Sequence, residues 1–320
     1  MNNKLAIISG FLGASKNRYM VYQENVPLRE KMERAKQVPG IEGLEICYPE
    51  DFGDYEETKA LLKEFGFGIS AINFRCRRTG SWTRGSFTSA KAHERAELVE
   101  DFKRCIDIAK ELGVDKITTC PLNEGHDYIF EMDYDDAYTY FVETMREVAT
   151  YAGDAIKICI EYKLNDPRGR CLIASAGEGI AFCQEVGLDN VGLTVDFGHS
   201  IQTHERPAQA LVLAHRAKRL FHVHMNDNDK LFDWDMLPGA YNMWDFLEFI
   251  YYLQHKIHYT GWISYDVMPK EVNTVEHFQA VVNLTNKLFE LSDRLDPEKI
   301  REITAERNPA KTTQYLYSIL

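Results

Sequence analysis

Short runs of aliphatic and β-branched residues alternate with longer amphipathic stretches along most of this chain. The runs Leu5–Ser9, Gly43–Ile46, Gly68–Phe74, Lys116–Thr119, Ile156–Glu161, Val191–Asp196, Leu220–His224 and Trp262–Asp266 read as strands. The stretches between them carry helical spacing, as in Glu94–Leu112, where Leu98, Phe102, Ile106 and Ala109 recur on one face. Gly66, Gly113, Gly187 and Gly261 stand just before strands and fit helix C-terminal caps. Strands that alternate with helices predict an α/β fold with a parallel sheet, and eight of them suit closure into a (β/α)8 barrel, the TIM barrel fold.

After the last strand, Val275–Leu291 predicts a final barrel helix, with Thr274 as its N-cap. Residues 1–291 are therefore expected to form one catalytic barrel domain, and 292–320 a C-terminal extension. That tail is polar and then ends in Tyr315, Leu316, Tyr317 and Leu320, a pattern that suits wrapping a neighbour or capping the barrel. The expectation is an oligomer arm and a homo-oligomer, dimer or tetramer. The length of 320 residues accommodates a barrel of about 250 with extensions as a single domain.

The net charge of −12 argues against nucleic acid as a partner, because such binding needs basic surface to displace counterions from phosphates. No run approaches the ~20 apolar residues that cross a bilayer, and the start has no signal-peptide architecture, so no membrane and a cytoplasmic location are expected. The seven cysteines form no CxxC pair and sit mainly in apolar segments, where a free thiol acts as a small hydrophobe.

Ligand-type residues gather at the ends of the last four predicted strands. These ends read Ile-Glu161-Tyr-Lys163, Val-Asp196-Phe-Gly-His199, His222-Val-His224-Met-Asn226 and Tyr-Asp266. In a (β/α)8 barrel this rim carries the chemistry, because the βα loops converge there. Carboxylates brought to one centre repel one another and are costly to desolvate, and a divalent cation removes the conflict. Carboxylates with imidazole suit Mn2+, Mg2+ or Co2+. Glu161, Asp196, His224 and Asp266 are the candidate metal ligands, for one or two ions per subunit.

The run Glu161-Tyr-Lys163-Leu-Asn165-Asp-Pro167-Arg168-Gly169 resembles the strand-five segment Glu-Pro-Lys-Pro-Asn-Glu-Pro-Arg-Gly of xylose isomerase. The resemblance implies a metal ligand at Glu161 and a lysine, Lys163, that hydrogen-bonds the substrate carbonyl oxygen. His199 and the pair Asp233-Trp-Asp235 look like that family's second, catalytic metal site. Asp266 in Tyr-Asp-Val-Met-Pro-Lys resembles its strand-eight ligand, and Gly85-Ser-Phe87-Thr-Ser89 the segment before its third helix. The match covers residues 85 to 270. Asp196 and His224 replace a glutamate and an aspartate of xylose isomerase, which moves the ligand set toward L-rhamnose isomerase. The chain is thus similar to the small xylose isomerase-like TIM barrel proteins.

The implied activity is a metal-dependent aldose–ketose isomerase acting on a free sugar by hydrogen transfer between carbons 1 and 2. Lys163, Glu161 and Asp266 are its candidate catalytic residues. Lys163, His199, Trp82 and His126 are the candidate contacts to the sugar, with Trp82 as an apolar wall and His126 or Glu45 near the ring oxygen. Arg75, Arg77, Arg78 or Lys270 would serve if the sugar were phosphorylated. The rival readings are a ketose 3-epimerase, whose strand-eight acid is a glutamate where this chain has Asp266, and a lyase or dehydratase on a keto-sugar or keto-inositol.

Overall fold

The computed structural model describes residues 3–17, 19–78 and 80–320. Its core is a closed barrel of parallel strands: β1 (Leu5–Ile8), β2 (Ile41–Tyr48), β3 (Gly68–Phe74), β4 (Lys116–Thr119), β5 (Lys157–Glu161), β6 (Val191–Asp196), β7 (Leu220–Met225) and β8 (Ile263–Tyr265). Each strand pairs with its sequence neighbours and β1 closes on β8, as expected for a TIM barrel. Around it lie α1 (Leu28–Lys36), α2 (Tyr55–Phe65), α3 (Ala92–Leu112), α4 (Tyr134–Ala152), α5 (Ala176–Val186), α6 (Pro207–Arg216), α7 (Met243–Tyr251) and α8 (Thr274–Asp293). Short antiparallel ribbons at 15–23 and 125–171 decorate the C-terminal face.

Local chemistry sets most helix ends. Gly66, Gly113 and Gly187 take the left-handed conformation, with φ of 65, 68 and 75°, that releases a helix into the next strand. Gly261 does not act as a cap. After α7 the chain widens into a π-helical turn, and His258 (φ 53°) makes the exit instead. Nor is Thr274 the N-cap of α8: the Asn273 side chain accepts the Glu276 N–H, and the Thr274 hydroxyl bonds Gln23 on the N-terminal ribbon. Asparagine is preferred over threonine in that role. The extension folds into α9 (Pro297–Glu306) and α10 (Pro309–Tyr317), and Ile319 packs with Leu247, Tyr251, Leu291 and Leu295 of α7 and the end of α8.

A row of aromatic rings runs through the apolar layer between strands and helices. Phe74, Phe102, Phe87, Phe141 and Phe182 form a continuous chain with centroid spacings of 4.3, 6.2, 5.1 and 4.4 Å. Phe197, directly after Asp196, is fully buried against Phe246 (4.2 Å) and Phe249 (5.4 Å) of α7. This anchor fixes the end of β6, where the site begins. Phe197→Ala is expected to cost about 3–5 kcal/mol of stability, measured by denaturant unfolding, because the cavity it leaves is walled by rigid rings.

Candidate metal centre and cleft

Glu161 ends β5, Asp196 ends β6, His224 lies one residue before the end of β7, and Asp266 follows β8. The register pairs Thr194 with Glu161 and Asp196 with His224, which brings these side chains to one rim. Each of the four offers a ligand atom within 4.8 Å of the others. Their neighbours hold them in place. Tyr162 points away from the barrel interior and bonds Ser200 at 2.5 Å, while one Asp196 oxygen caps the helix Phe197–Gln202 through the His199 N–H (2.8 Å) and the other takes the Asn226 amide (2.9 Å).

His224 owes its orientation to a group on the far side of the barrel. Its Nε2 lies 3.0 Å from Glu45 on β2, a strand not adjacent to β7, so the contact crosses the interior. With Glu45 accepting Nε2–H, the ring turns its Nδ1 to Glu161 and Asp266, 3.3 and 3.8 Å away. Against the effect of burial, Glu45 and Glu161 raise the imidazole well above its usual value, and a cation at the rim would take the place of the Nδ1 proton. Glu45 is itself satisfied by Asn73 (2.8 Å), Thr118 (2.6 Å) and His222 (3.1 Å). Burial alone would raise its carboxyl, but the charge of His224 and the bonds from both imidazoles carry it well below the usual carboxylate range.

The rim is electrostatically unfinished. Burial and the nearby Glu161 push the Asp266 carboxyl up to about 8, and burial also raises Asp196. Glu161 Oε1, His224 Nδ1, His199 Nδ1 and Asp233 Oδ1 are buried without hydrogen-bond partners. Unpartnered donor atoms of this kind, facing one another, fit a divalent cation that would satisfy them together.

A second group adjoins the first. His199 Nε2 lies 3.1 Å from Asp233, Lys163 Nζ lies 2.8 Å from the same Asp233 oxygen, and His199 Nδ1 is 3.2 Å from Glu161. Burial disfavours a charge on His199, yet Asp196 and Asp233 prevail and push its imidazole up to about 10. Asp235 borders the same cleft, and burial with Asp233 and Asp266 raises its carboxyl. The loop carrying Asp233 and Asp235 is pinned from both sides. Asp227 accepts the backbone N–H of Tyr241 and Asn242, Met268 N–H reaches the Asp235 carbonyl, and Lys270 bonds the Trp234 carbonyl at 2.7 Å.

These groups open on a cleft of about 670 Å³ that Glu161, Lys163, His199, Asp233, Asp235 and Asp266 all line. Two of the expected sugar contacts are elsewhere. Trp82 is buried under the Arg78 guanidinium, and His126 pairs with Arg170 in a ribbon with its ring against Tyr134, so neither is among the residues lining the cleft. Of the three arginines after β3, Arg75 and Arg77 line the cleft while Arg78 turns away to Asp101. Glu45 is fully buried beneath the rim and is not among the residues lining the cleft. Sequence reading missed the polar layer formed by Asn73, Thr118 and His222 with Glu45. The signal was present, since His222-x-His224 puts two imidazoles on one face of a strand and Thr118 interrupts a buried run. It also missed Cys120, which the end of β4 brings within 4.8 Å of Glu161 and His199.

Residues 32–284 match the family model of the xylose isomerase-like TIM barrel. The chain belongs to that family. The xylose isomerase of Thermus thermophilus is 26% identical to this xylose isomerase-like barrel over 190 residues, which is 58% of this chain and 49% of the relative. The chain thus spans about half the length of that relative. Among solved structures, a D-allulose 3-epimerase from Methylomonas sp. in complex with D-allulose superposes with a TM-score of 0.71, at 18% identity, covering 89% of this chain and 97% of that one. An IolI protein with a bound zinc atom gives 0.66, at 18% identity, covering 91% and 100%. At such identity the two structures establish the shared fold.

Titration calorimetry with Mn2+ or Co2+ on chelator-treated protein checks the centre. We expect Glu161→Gln to abolish binding and Glu45→Gln, which leaves the four rim ligands in place, to weaken it roughly 10–100-fold. Unchanged affinity in Glu45→Gln would show that His224 does not need its partner.

Proposed function

We propose that this protein is a metal-dependent aldose–ketose isomerase acting on a monosaccharide. The observation that carries the reading is the convergence of Lys163, His199, Asp233 and Asp235 beside the four-residue cluster at one cleft. An acid-rich centre alone would suit many reactions. A fixed cation next to it suits one in which negative charge grows on a carbonyl oxygen.

Glu161, Asp196, His224 and Asp266 would hold a divalent ion, and His199, Asp233 and Asp235 a second. Such an ion, Mn2+, Mg2+ or Co2+, supplies Lewis-acid polarisation of the substrate oxygens. Asp233 fixes the Lys163 ammonium and, against the effect of burial, holds its pKa well above the usual lysine value, so Lys163 acts as a hydrogen-bond donor and not as a base. Its place by the cleft lets it meet the carbonyl oxygen of an opened sugar. Phe11, Phe74, Leu122 and Met268 line the same cleft and keep its wall dry, which strengthens that interaction. The isomerisation is redox-neutral: carbon 2 of the aldose loses a hydride to carbon 1, and a proton passes from the carbon-2 hydroxyl to the carbonyl oxygen.

A ketose epimerase is the second reading. Its support is one of length: the D-allulose 3-epimerase is covered over 97% of its chain, whereas the xylose isomerase is covered over 49%. The IolI protein with zinc shows that a barrel of this fold holds a divalent metal, and supports a metal here under either reading.

Metal-loaded protein incubated with a panel of aldoses and ketoses in D2O, followed by NMR, separates the two. Interconversion of carbons 1 and 2 with little deuterium incorporated is expected, and inversion at carbon 3 with deuterium uptake would replace the isomerase reading by the epimerase one. Lys163→Met should lower kcat by about 10²–10³-fold, the usual loss for one donor to a developing oxyanion, with KM changed far less.

A further inference from the structure

The cations lining the cleft divide into two kinds. Lys163 is neutralised by Asp233 at 2.8 Å, and Lys31 by Asp51 at 2.7 Å. Lys16 on the N-terminal ribbon and Arg75 and Arg77, just past β3, have no carboxylate in ion-pair contact among the described residues, and Glu50, on the same cleft, favours the charge of both arginines from beyond contact. The Arg75 guanidinium donates from Nη2 to the Cys47 sulfur at 3.1 Å, and its Nε is buried with no partner. A thiol is a weak acceptor for a group with five donors in a fixed fork. Burial raises the Cys47 thiol, against the pull of Arg75, so it stays neutral and gives the guanidinium no counter-charge.

Two further facts show that this position is built. A Cβ added at Gly10 would lie 2.8 Å from Arg75 Nη2, so the bare glycine after β1 leaves the room that the guanidinium occupies. Arg77 stands close enough to be repelled by Arg75, and the protein keeps both at one wall. That wall lies across the barrel from His224, while Glu161 on β5 is two strands away and the charge of Asp266 reaches Arg75. Strand β3 is four places round the barrel from β7 in either direction. A sugar whose carbons 1 and 2 lie at the Glu161–Asp266 rim would point its other end toward Arg75.

We propose that the substrate carries an acid group at the end remote from the reacting carbons, held by Arg75 and Arg77. The class is an acidic monosaccharide, either a uronic acid or a terminally phosphorylated sugar, and both present paired anionic oxygens to which an arginine fork can donate bidentately. This inference rests on the reading of the cleft as a sugar site and adds the charge of its ligand.

Calorimetric titration of Mn2+-loaded protein with a series of neutral hexoses, the matching uronates and the matching 6-phosphates tests it. An acidic sugar should bind on the order of tenfold tighter than its neutral counterpart, as expected for charge-assisted hydrogen bonds. Arg77→Gln and, separately, Arg75→Lys should each cut that ratio by a similar factor, Arg75→Lys because it keeps the charge but loses the fork. Arg84→Gln, which removes a surface charge paired with Glu131, should leave the ratio unchanged. A uronate preferred over the phosphate identifies a carboxylate, and the reverse a phosphoryl group. Equal affinity for acidic and neutral sugars, no binding of either, or a ratio that neither arginine variant moves overturns the proposal. Turnover read in parallel keeps the two readings apart. Neutral sugars interconverted without acid preference would sink this inference alone, and arginine-dependent binding of acids without isomerisation would sink the isomerase reading alone.

Discussion

A carboxylate at the heart of a barrel persists only where donors surround it, and Glu45 has donors from Asn73, Thr118, His222 and His224. These come from β3, β4 and β7, so one side chain ties opposite walls of the barrel together. The same bonds decide which nitrogen of His224 faces the rim. Glu161, Asp196 and Asp266 then meet the Nδ1 of His224, whose proton a cation would displace, and the cluster acquires the donor set of a cation site. Much of the chemistry proposed above depends on this buried layer, although Asn73 alone of its members lines the cleft and His224 acts through the rim cluster.

Outside that layer the fold divides labour by position. The aromatic chain from Phe74 to Phe182 and the Phe197 anchor hold strands against helices. The loops after β7 and β8 are cross-tied through Asp227, Met268 and Lys270, which turns a mobile kind of segment into a fixed mount for Asp233 and Asp235. Opposite β7, the wall after β3 carries Arg75 and Arg77 without a carboxylate in ion-pair contact among the described residues. The cleft is therefore polar in sense as well as in character, acidic on one side and cationic on the other. A net charge of −12 argues against polyanions as general partners, yet the chain places two arginines together on the wall of this cleft.

Strand positions were legible in the sequence because a buried parallel strand is an unbroken apolar run and an outer helix is amphipathic. Gly68–Phe74, Lys116–Thr119 and Val191–Asp196 were read to the residue. Helix ends were less secure where several side chains compete for the same amide, as at Asn273 and Thr274, or where a π-helical turn replaces a glycine exit, as at His258. The grouping of Glu161, Asp196, His224 and Asp266 was also legible, since strand ends of a closed barrel must share a rim. Distance across the barrel was not. Contacts such as Glu45 to His222 join residues 177 positions apart, and no local pattern encodes them. Nor does a sequence show which face of a loop turns inward, so Trp82 and His126 passed for cleft residues until packing placed them elsewhere. The chain by itself determined the architecture and the ligand types, because periodicity and strand ends are local properties. Only the tertiary structure decided which polar groups are partnered and which are left to bind something, because that depends on side chains meeting across the barrel.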